Sequence, residues 1–208
     1  MINVIFDMDG TLINSANAIC AAVNEVRQSL NLKPLDNQFI THTINTPGKD
    51  WAKILYEIDD FPHSSFKEGF EKYFIKHYQQ SVVLFDGVLN VLEWLKSKDC
   101  YLAIATNAPQ ASLKTILQKH NILPFFDKIL GVSLGIEPKP HPMMLTLIHG
   151  DARFARSVFV GDSAKDKKAA QNAKMPFLYA KWYESKAGDN EFTNSDELKA
   201  LLEKSLLI

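Results

Sequence analysis

Ile2-Asn3-Val4-Ile5-Phe6-Asp7-Met8-Asp9-Gly10-Thr11 is the stretch that decides the fold. Its first half is a short, β-forming run with too little alternation for a half-exposed strand. Such a run suits a strand buried on both faces of a parallel sheet. The chain then turns polar at one end only. The pattern recurs. Tyr101-Leu102-Ala103-Ile104-Ala105 runs into Thr106-Asn107, and Lys128-Ile129-Leu130-Gly131-Val132 runs into Ser133. Ser157-Val158-Phe159-Val160 runs into Gly161-Asp162, and Pro176-Phe177-Leu178-Tyr179-Ala180 closes the series. Helical patterns separate these runs. Residues 88–98 carry Val88, Val91, Leu92 and Leu95 on one face, and residues 109–120 start on a proline. Shorter patterns cover 143–149, 166–174 and 195–206, the last opening on acidic residues that suit a helix N-terminus. Alternating strands and helices predict an α/β fold, a doubly wound, Rossmann-like parallel sheet of five strands. Ligands of such sheets bind at the carboxyl ends of the strands, where Asp7, Thr106 and Asp162 stand.

The alternation breaks between Ser15 and Val82, where three helical stripes replace it. Ile19, Ala22, Val23, Val26 and Leu30 form the first. Trp51, Ile54, Leu55 and Ile58 form the second, with Thr46 expected as N-cap and Pro47 as the first helical residue. Phe66, Phe70, Tyr73, Phe74 and His77 form the third, an aromatic stripe that reads as core rather than ligand box. The expected division is an α/β core over 1–14 and 83–208, with a helical domain inserted over 15–82.

Composition bounds the partners. A 208-residue chain with 46% hydrophobic residues packs a core and is not disordered. Lys plus Arg number 23 against 24 Asp plus Glu, a net charge of -1, which offers no field for nucleic acid or an anionic membrane. Cys20 and Cys100 stand apart from each other and from any metal-ligand cluster, so both read as small buried hydrophobes. The N-terminus has no secretory pattern and no apolar stretch is long enough to span a bilayer, so a cytoplasmic location is expected. Nothing sets the oligomeric state, and a monomer is compatible with everything read here.

Chemistry concentrates at the strand ends. Asp7-Met8-Asp9-Gly10-Thr11 places two carboxylates two residues apart, and Gly10 permits close backbone approach. Gly161-Asp162-Ser163-Ala164-Lys165-Asp166 adds two more acids after another strand. Four carboxylates at one sheet edge repel, and a hard divalent cation such as Mg²⁺ suits an all-oxygen set. Lys139, in Glu137-Pro138-Lys139-Pro140-His141-Pro142, offers a second positive charge on a loop stiffened by proline. Thr106 adds a hydroxyl. His141 reads as a loop residue, and Lys165, Lys167 and Lys168 as a solvated helix face.

These four motifs, in this order, resemble the haloacid dehalogenase superfamily of phosphohydrolases. The likeness covers nearly the whole chain outside the insert. The insert itself resembles the helical cap of the phosphoglycolate phosphatase-like and β-phosphoglucomutase-like branch. By that resemblance, Asp7 is the nucleophile and forms an aspartyl-phosphate, and Asp9 is the general acid and then the base. Thr106, Asn107 and Lys139 hold the phosphoryl oxygens. Asp7, the Asp9 backbone carbonyl and Asp162 ligate Mg²⁺, with Asp166 in support. The implied activity is a Mg²⁺-dependent phosphatase acting on a small phosphorylated metabolite. The alternatives are a phosphomutase using the same residues and a non-catalytic module on the same fold. A second acid two residues after the first favours phosphate transfer over carbon–halogen cleavage, which needs no leaving-group protonation. The chain departs from the family at Lys167, Lys174 and Met143, none of them catalytic. Asn14, Asn17, His42, Asn45, Thr46 and Lys49 are the candidates in the insert for touching substrate.

Overall fold

The computed structural model describes residues 1–46, 48–59 and 66–207, apart from a few side chains at the edges of that range. It divides into two compact units, one made of Met1–Ile13 with Leu84–Ile208 and the other of Asn14–Val83.

In chain order the elements are β1 (Asn3–Phe6), β2 (Ile13–Asn14), α1 (Ala16–Ser29), α2 (Asn37–Asn45), α3 (Trp51–Tyr56), α4 (Phe66–Ser81) and β3 (Val83–Leu84). Then come α5 (Val88–Ser97), β4 (Tyr101–Pro109), α6 (Gln110–Lys119), β5 (Lys128–Val132), α7 (Met143–Asp151) and β6 (Ser157–Gly161). The chain ends with α8 (Ala164–Asn172), β7 (Phe177–Ala180), β8 (Glu191–Phe192) and α9 (Ser195–Leu207). The main sheet runs β5-β4-β1-β6-β7-β8, six strands rather than five. The additional strand, β8, is two residues long, too short to show any period in sequence, and its ladder continues that of β7. Every pairing is parallel.

β1 lies in the middle with β4 on one side and β6 on the other. Strand order therefore reverses at β1, which opens a crevice beyond its carboxyl end. All four β1 residues are buried, as its unbroken run required. Ile5, Ala103, Ala105 and Phe159 from the sheet pack on Met144, Leu145 and Ile148 of α7 and on Ala169 and Ala170 of α8. Each large side chain fully buried here contributes about 1.5–3 kcal/mol. Cys20 and Cys100 are buried free thiols.

The helical unit has its own core, in which Cys20, Val23 and Val26 of α1 meet Ile40 of α2 and Leu55 and Tyr56 of α3. Arg27, on α1, donates to the Lys33 and Leu55 carbonyls and so ties the loop after α1 and the end of α3 to the helix. Two features differ from the sequence reading: α2 is a helix beyond the three expected stripes, and the helix start expected at Thr46 lies elsewhere. α2 carries β-branched Ile40, Thr41, Thr43 and Ile44, which disguise a helix. Its cap decides the matter: the Asp36 carboxylate accepts from the Gln38 and Phe39 amides, and Ile40 and Thr43 bury one face. Thr46 is not the N-cap of the next helix. It ends α2, and Asp50 caps α3 by accepting from the Lys53 amide. Pro47 and the side chains of Phe66 and Phe70 lie outside the described residues. On α4, Tyr73 packs against the unit's core, as the aromatic stripe predicts, and Tyr78, outside that stripe, is buried as well. His77 pairs with Glu25.

Candidate active site

The end of β1 delivers the first acid. The Asp7 amide extends the ladder by donating to the Val160 carbonyl at 2.8 Å. The chain then coils back. The Met8 carbonyl accepts from the Leu12 and Ile13 amides, and the Gly10 amide donates to the Ile13 carbonyl. Gly10 has φ +78°, and a Cβ there would overlap the Asp162 carboxylate. Both its conformation and its emptiness are therefore required.

Three other loops complete the cluster. Thr106 lies where the β4–β5 register shifts, between Ala105 and Pro109, an irregularity of the kind that re-aims side chains. Lys139 stands in the loop before α7. Asp162 and Asp166 flank the start of α8. There Ser163 and Asp166 form a reciprocal cap: the Asp166 amide donates to Ser163 Oγ, while the Ser163 amide and hydroxyl donate to Asp166 Oδ2. The spacing Ser163-x-x-Asp166 carries this cap in the sequence. Gly161 leaves room for the Asp166 side chain.

The four side chains at the centre are almost wholly removed from solvent, with Asp7 at 6%, Thr106 at 1%, Lys139 at 4% and Asp166 at 1% relative exposure. Lys139 Nζ stands 2.6 Å from Asp7 Oδ1 and 2.5 Å from Asp166 Oδ1. It also lies 5.3 Å from the centre of the Phe159 ring, a cation–π neighbour. One carboxylate, Asp166, thus caps a helix with one oxygen and holds the lysine with the other.

Asn107 bears on Lys139 from another direction. Its side-chain amide donates to the Lys139 carbonyl at 2.9 Å and accepts from the Lys139 amide at 2.8 Å. Both of its polar atoms therefore engage the lysine's backbone. Thr106 Oγ1 accepts from the Ala108 amide at 3.2 Å.

The electrostatics show an excess of negative charge. Burial pushes the Asp7 carboxyl up to about 7; Lys139 opposes the rise, and Asp166 and Asp9 add to it. Burial, Asp7 and Asp166 raise Asp162 well above the usual carboxylate range. Burial alone would depress Lys139, but Asp166 and Asp7 overcome it and hold the ammonium above its ordinary value. Ligand atoms of Asp7, Asp162 and Asp166 lie within 4.8 Å of one another. Buried oxygen donors at this density, balanced by one buried lysine, fit a hard divalent cation.

Other expected positions fall differently. Lys167 and Lys168 are exposed, but Lys165 is half-buried and burial lowers its pKa, so only two of the three form a solvated face. Lys174 takes φ 53° after α8, the left-handed position a glycine more commonly fills. His141 is a loop residue whose Nδ1 accepts from the Met143 amide at the start of α7. In the helical unit, His42 and Asn45 are on α2, and Thr46 donates back to the His42 carbonyl. Asn17 is exposed at the start of α1, Lys49 is exposed before α3, and Asn14 is half-buried on β2. Sequence reasoning missed Phe159 as a partner of Lys139. It also missed Trp182, whose indole N–H donates to the Thr11 carbonyl at 3.1 Å, because nothing local signals a contact 171 residues away.

A parallel sheet with this acid–lysine cluster at its switch point defines a class of protein. Residues 4–180 match the model of the haloacid dehalogenase-like hydrolases, and the chain belongs to that family. It is a phosphatase-type enzyme of the family, in keeping with its curated relatives. It is 31% identical over 185 residues to the probable phosphatase IndB of Dickeya dadantii, covering 86% of this chain and 80% of that one. It is 31% identical over 186 residues to the phosphoglycolate phosphatase of Colwellia psychrerythraea, covering 83% and 80%. Among solved structures, a predicted phosphoglycolate phosphatase from Haemophilus somnus 129pt superposes with TM-score 0.79 at 27% identity over 96% of this chain and 97% of that one. A Thermotoga maritima protein provisionally assigned as a β-phosphoglucomutase has TM-score 0.72 at 24% identity, covering 98% and 99%, and shares the fold. Among the described residues, no helix is long and apolar enough to cross a membrane.

Proposed function

We propose that this enzyme is a Mg²⁺-dependent phosphatase that hydrolyses the phosphate monoester of a small metabolite through an aspartyl-phosphate on Asp7. The observation that carries the reading is the pairing of Asp7 with Lys139 at a buried strand end, ringed by Asp162 and Asp166. A buried carboxylate at this position is either a nucleophile or an expense, since burial alone pushes it toward neutrality.

Lys139 would keep Asp7 ionised and draw the phosphoryl oxygens toward it. Thr106 would add a donor to those oxygens. Asn107 would act through Lys139, fixing the loop that carries it. An Asp7 oxygen attacks phosphorus as the ester P–O bond breaks, and the Asp9 carboxyl gives its proton to the leaving oxygen. Asp9 then takes a proton from water as that water attacks phosphorus, which frees Asp7 and inorganic phosphate. Asp7, Asp162 and the Asp9 carbonyl would hold Mg²⁺, with Asp166 supporting them. The ion, when bound, supplies positive charge against the phosphoryl oxygens.

The relatives named phosphoglycolate phosphatase make phosphoglycolate the first substrate to assay. The test is a panel of phosphorylated metabolites scored by kcat/KM with and without Mg²⁺, alongside Asp7→Asn. Undiminished turnover in Asp7→Asn would sink the nucleophile assignment. Return of the phosphoryl group to the substrate, with no net release of inorganic phosphate and no uptake of solvent oxygen, would point to a mutase.

A further inference from the structure

Trp182 sits in the turn after β7, far from Asp7 in sequence but bonded to the loop that follows it. Its indole Nε1 donates to the Thr11 carbonyl at 3.1 Å. The ring is locked on two sides. It stacks on Phe85 at 4.6 Å between centroids and 9° between planes, and it meets the Phe192 edge at 5.2 Å and 86°. Phe85 in turn donates its amide to the Leu12 carbonyl at 3.1 Å, so one stack grips two consecutive residues of the acid-bearing loop. The turn itself is anchored. The Lys181 amide donates to the Phe192 carbonyl, the Glu184 amide donates to the Lys181 carbonyl, and Lys181 Nζ bridges Glu184 at 3.2 Å and Glu191 at 3.4 Å.

Thr11 lies two residues after Asp9, in a coil that turns back on the Met8 carbonyl. Its carbonyl, held by the indole, is part of the same short coil that carries Asp9. The Phe85 stack contributes burial whatever the ring. The N–H bond is directional and adds to the backbone bonds that close the coil, and an angular error at a proton donor is costly because transfer needs close, aligned approach.

We infer that Trp182 is a positioning residue that aims Asp9 at the leaving-group oxygen through the Thr11 carbonyl. The inference rests on the reading of Asp9 as general acid. Loss of the indole N–H therefore hurts esters whose leaving oxygen needs a proton, and spares those whose leaving group departs as a stable anion.

The experiment compares alkyl phosphates with p-nitrophenyl phosphate, in Mg²⁺, for the unaltered enzyme, Asp9→Asn, Trp182→Phe and Trp182→His. Asp9→Asn must lose far more on alkyl phosphates than on the aryl ester; equal losses would remove the general-acid reading and this inference with it. Given that selectivity, Trp182→Phe is expected to lose roughly tenfold or more in kcat on alkyl phosphates, with KM nearly unchanged and less than about threefold lost on the aryl ester. Trp182→His, whose Nε2 can replace the indole nitrogen, is expected to recover part of the loss. Equal losses on both ester classes in Trp182→Phe, or none, would overturn the inference while leaving Asp9 in place. Should Trp182→Phe fail to fold, Phe85→Leu, which loosens the stack that holds the indole, is read by the same ratio and the same criterion.

Discussion

The two units hold their polar residues in opposite ways. In the α/β unit Asp7, Thr106, Lys139 and Asp166 are buried and held by their neighbours. Lys139 is gripped by Asp7, Asp166 and Phe159 at its head and by Asn107 at its backbone. In the helical unit the candidate polar residues are exposed or half-buried, and the core is mainly apolar, with Thr43 and the hydrogen-bonded Arg27 among its buried polar residues. A buried polar group without partners costs about 1–3 kcal/mol, so the first arrangement persists only as a complete set. The second tolerates replacement of any one member. Chemistry is thus written into the unit whose contacts are interdependent, and variation is admitted in the other.

The comparison can be broken at several strengths. The largest effect is expected from Asp7→Asn, which should lower kcat by roughly 10⁴-fold or more while leaving the far-ultraviolet circular dichroism intact. Gly10→Ala comes next. The new methyl meets the Asp162 carboxylate and strains a positive φ, so a loss of roughly 10²-fold in kcat/KM with a lowered Tm is expected. Asn107→Ala should cost roughly 10-fold to 10²-fold in kcat with a modest effect on Tm, since it frees the loop under Lys139 without removing the ammonium.

A fourth prediction concerns pH. Asp7 has its folded pKa raised to about 7 from 3.8. The folded state therefore holds that proton more tightly than the unfolded chain does, and stability without metal falls as pH climbs from about 4 to about 7, then levels off. Asp162 acts in the same direction. Added Mg²⁺ should raise Tm clearly above pH 7 and little near pH 5, as thermal melts across that range would show. Equal Mg²⁺ shifts at both ends would contradict the charge argument. The smallest effects are expected in the helical unit. Alanine at Asn17, His42, Asn45, Thr46 or Lys49, or at half-buried Asn14, should change stability by no more than about 0.5 kcal/mol and kcat by less than about threefold; any real effect should fall on KM for particular substrates.

The same contrast explains which features were legible in sequence. The α/β unit announces itself because a strand buried on both faces must be continuously apolar, and a ligand edge must be polar at one end. Asp7, Thr106 and Asp162 each stand at such a transition. Lys139 is legible only from its place in the ordered motif set, and no local pattern signals that the Asn107 side chain engages the lysine's backbone. The helical unit hid more. Local propensity argued against α2, and the Asp36 cap with burial of Ile40 overrode it. Thr46-Pro47 mimics a helix start, yet Asp50 is better placed to cap the residues that follow. β8 and the Trp182 contact depend on distant partners, which no local pattern encodes.

The insert leaves and re-enters the α/β unit through β2 and β3, which pair with each other in a two-stranded sheet. Paired strands run about 4.8 Å apart, so the two cut ends are presented side by side. A segment of any length with neighbouring termini meets that requirement, and loop-closure entropy grows only slowly with length. The position therefore works as a grafting port: a different helical segment with neighbouring ends could be spliced between Asn14 and Val83.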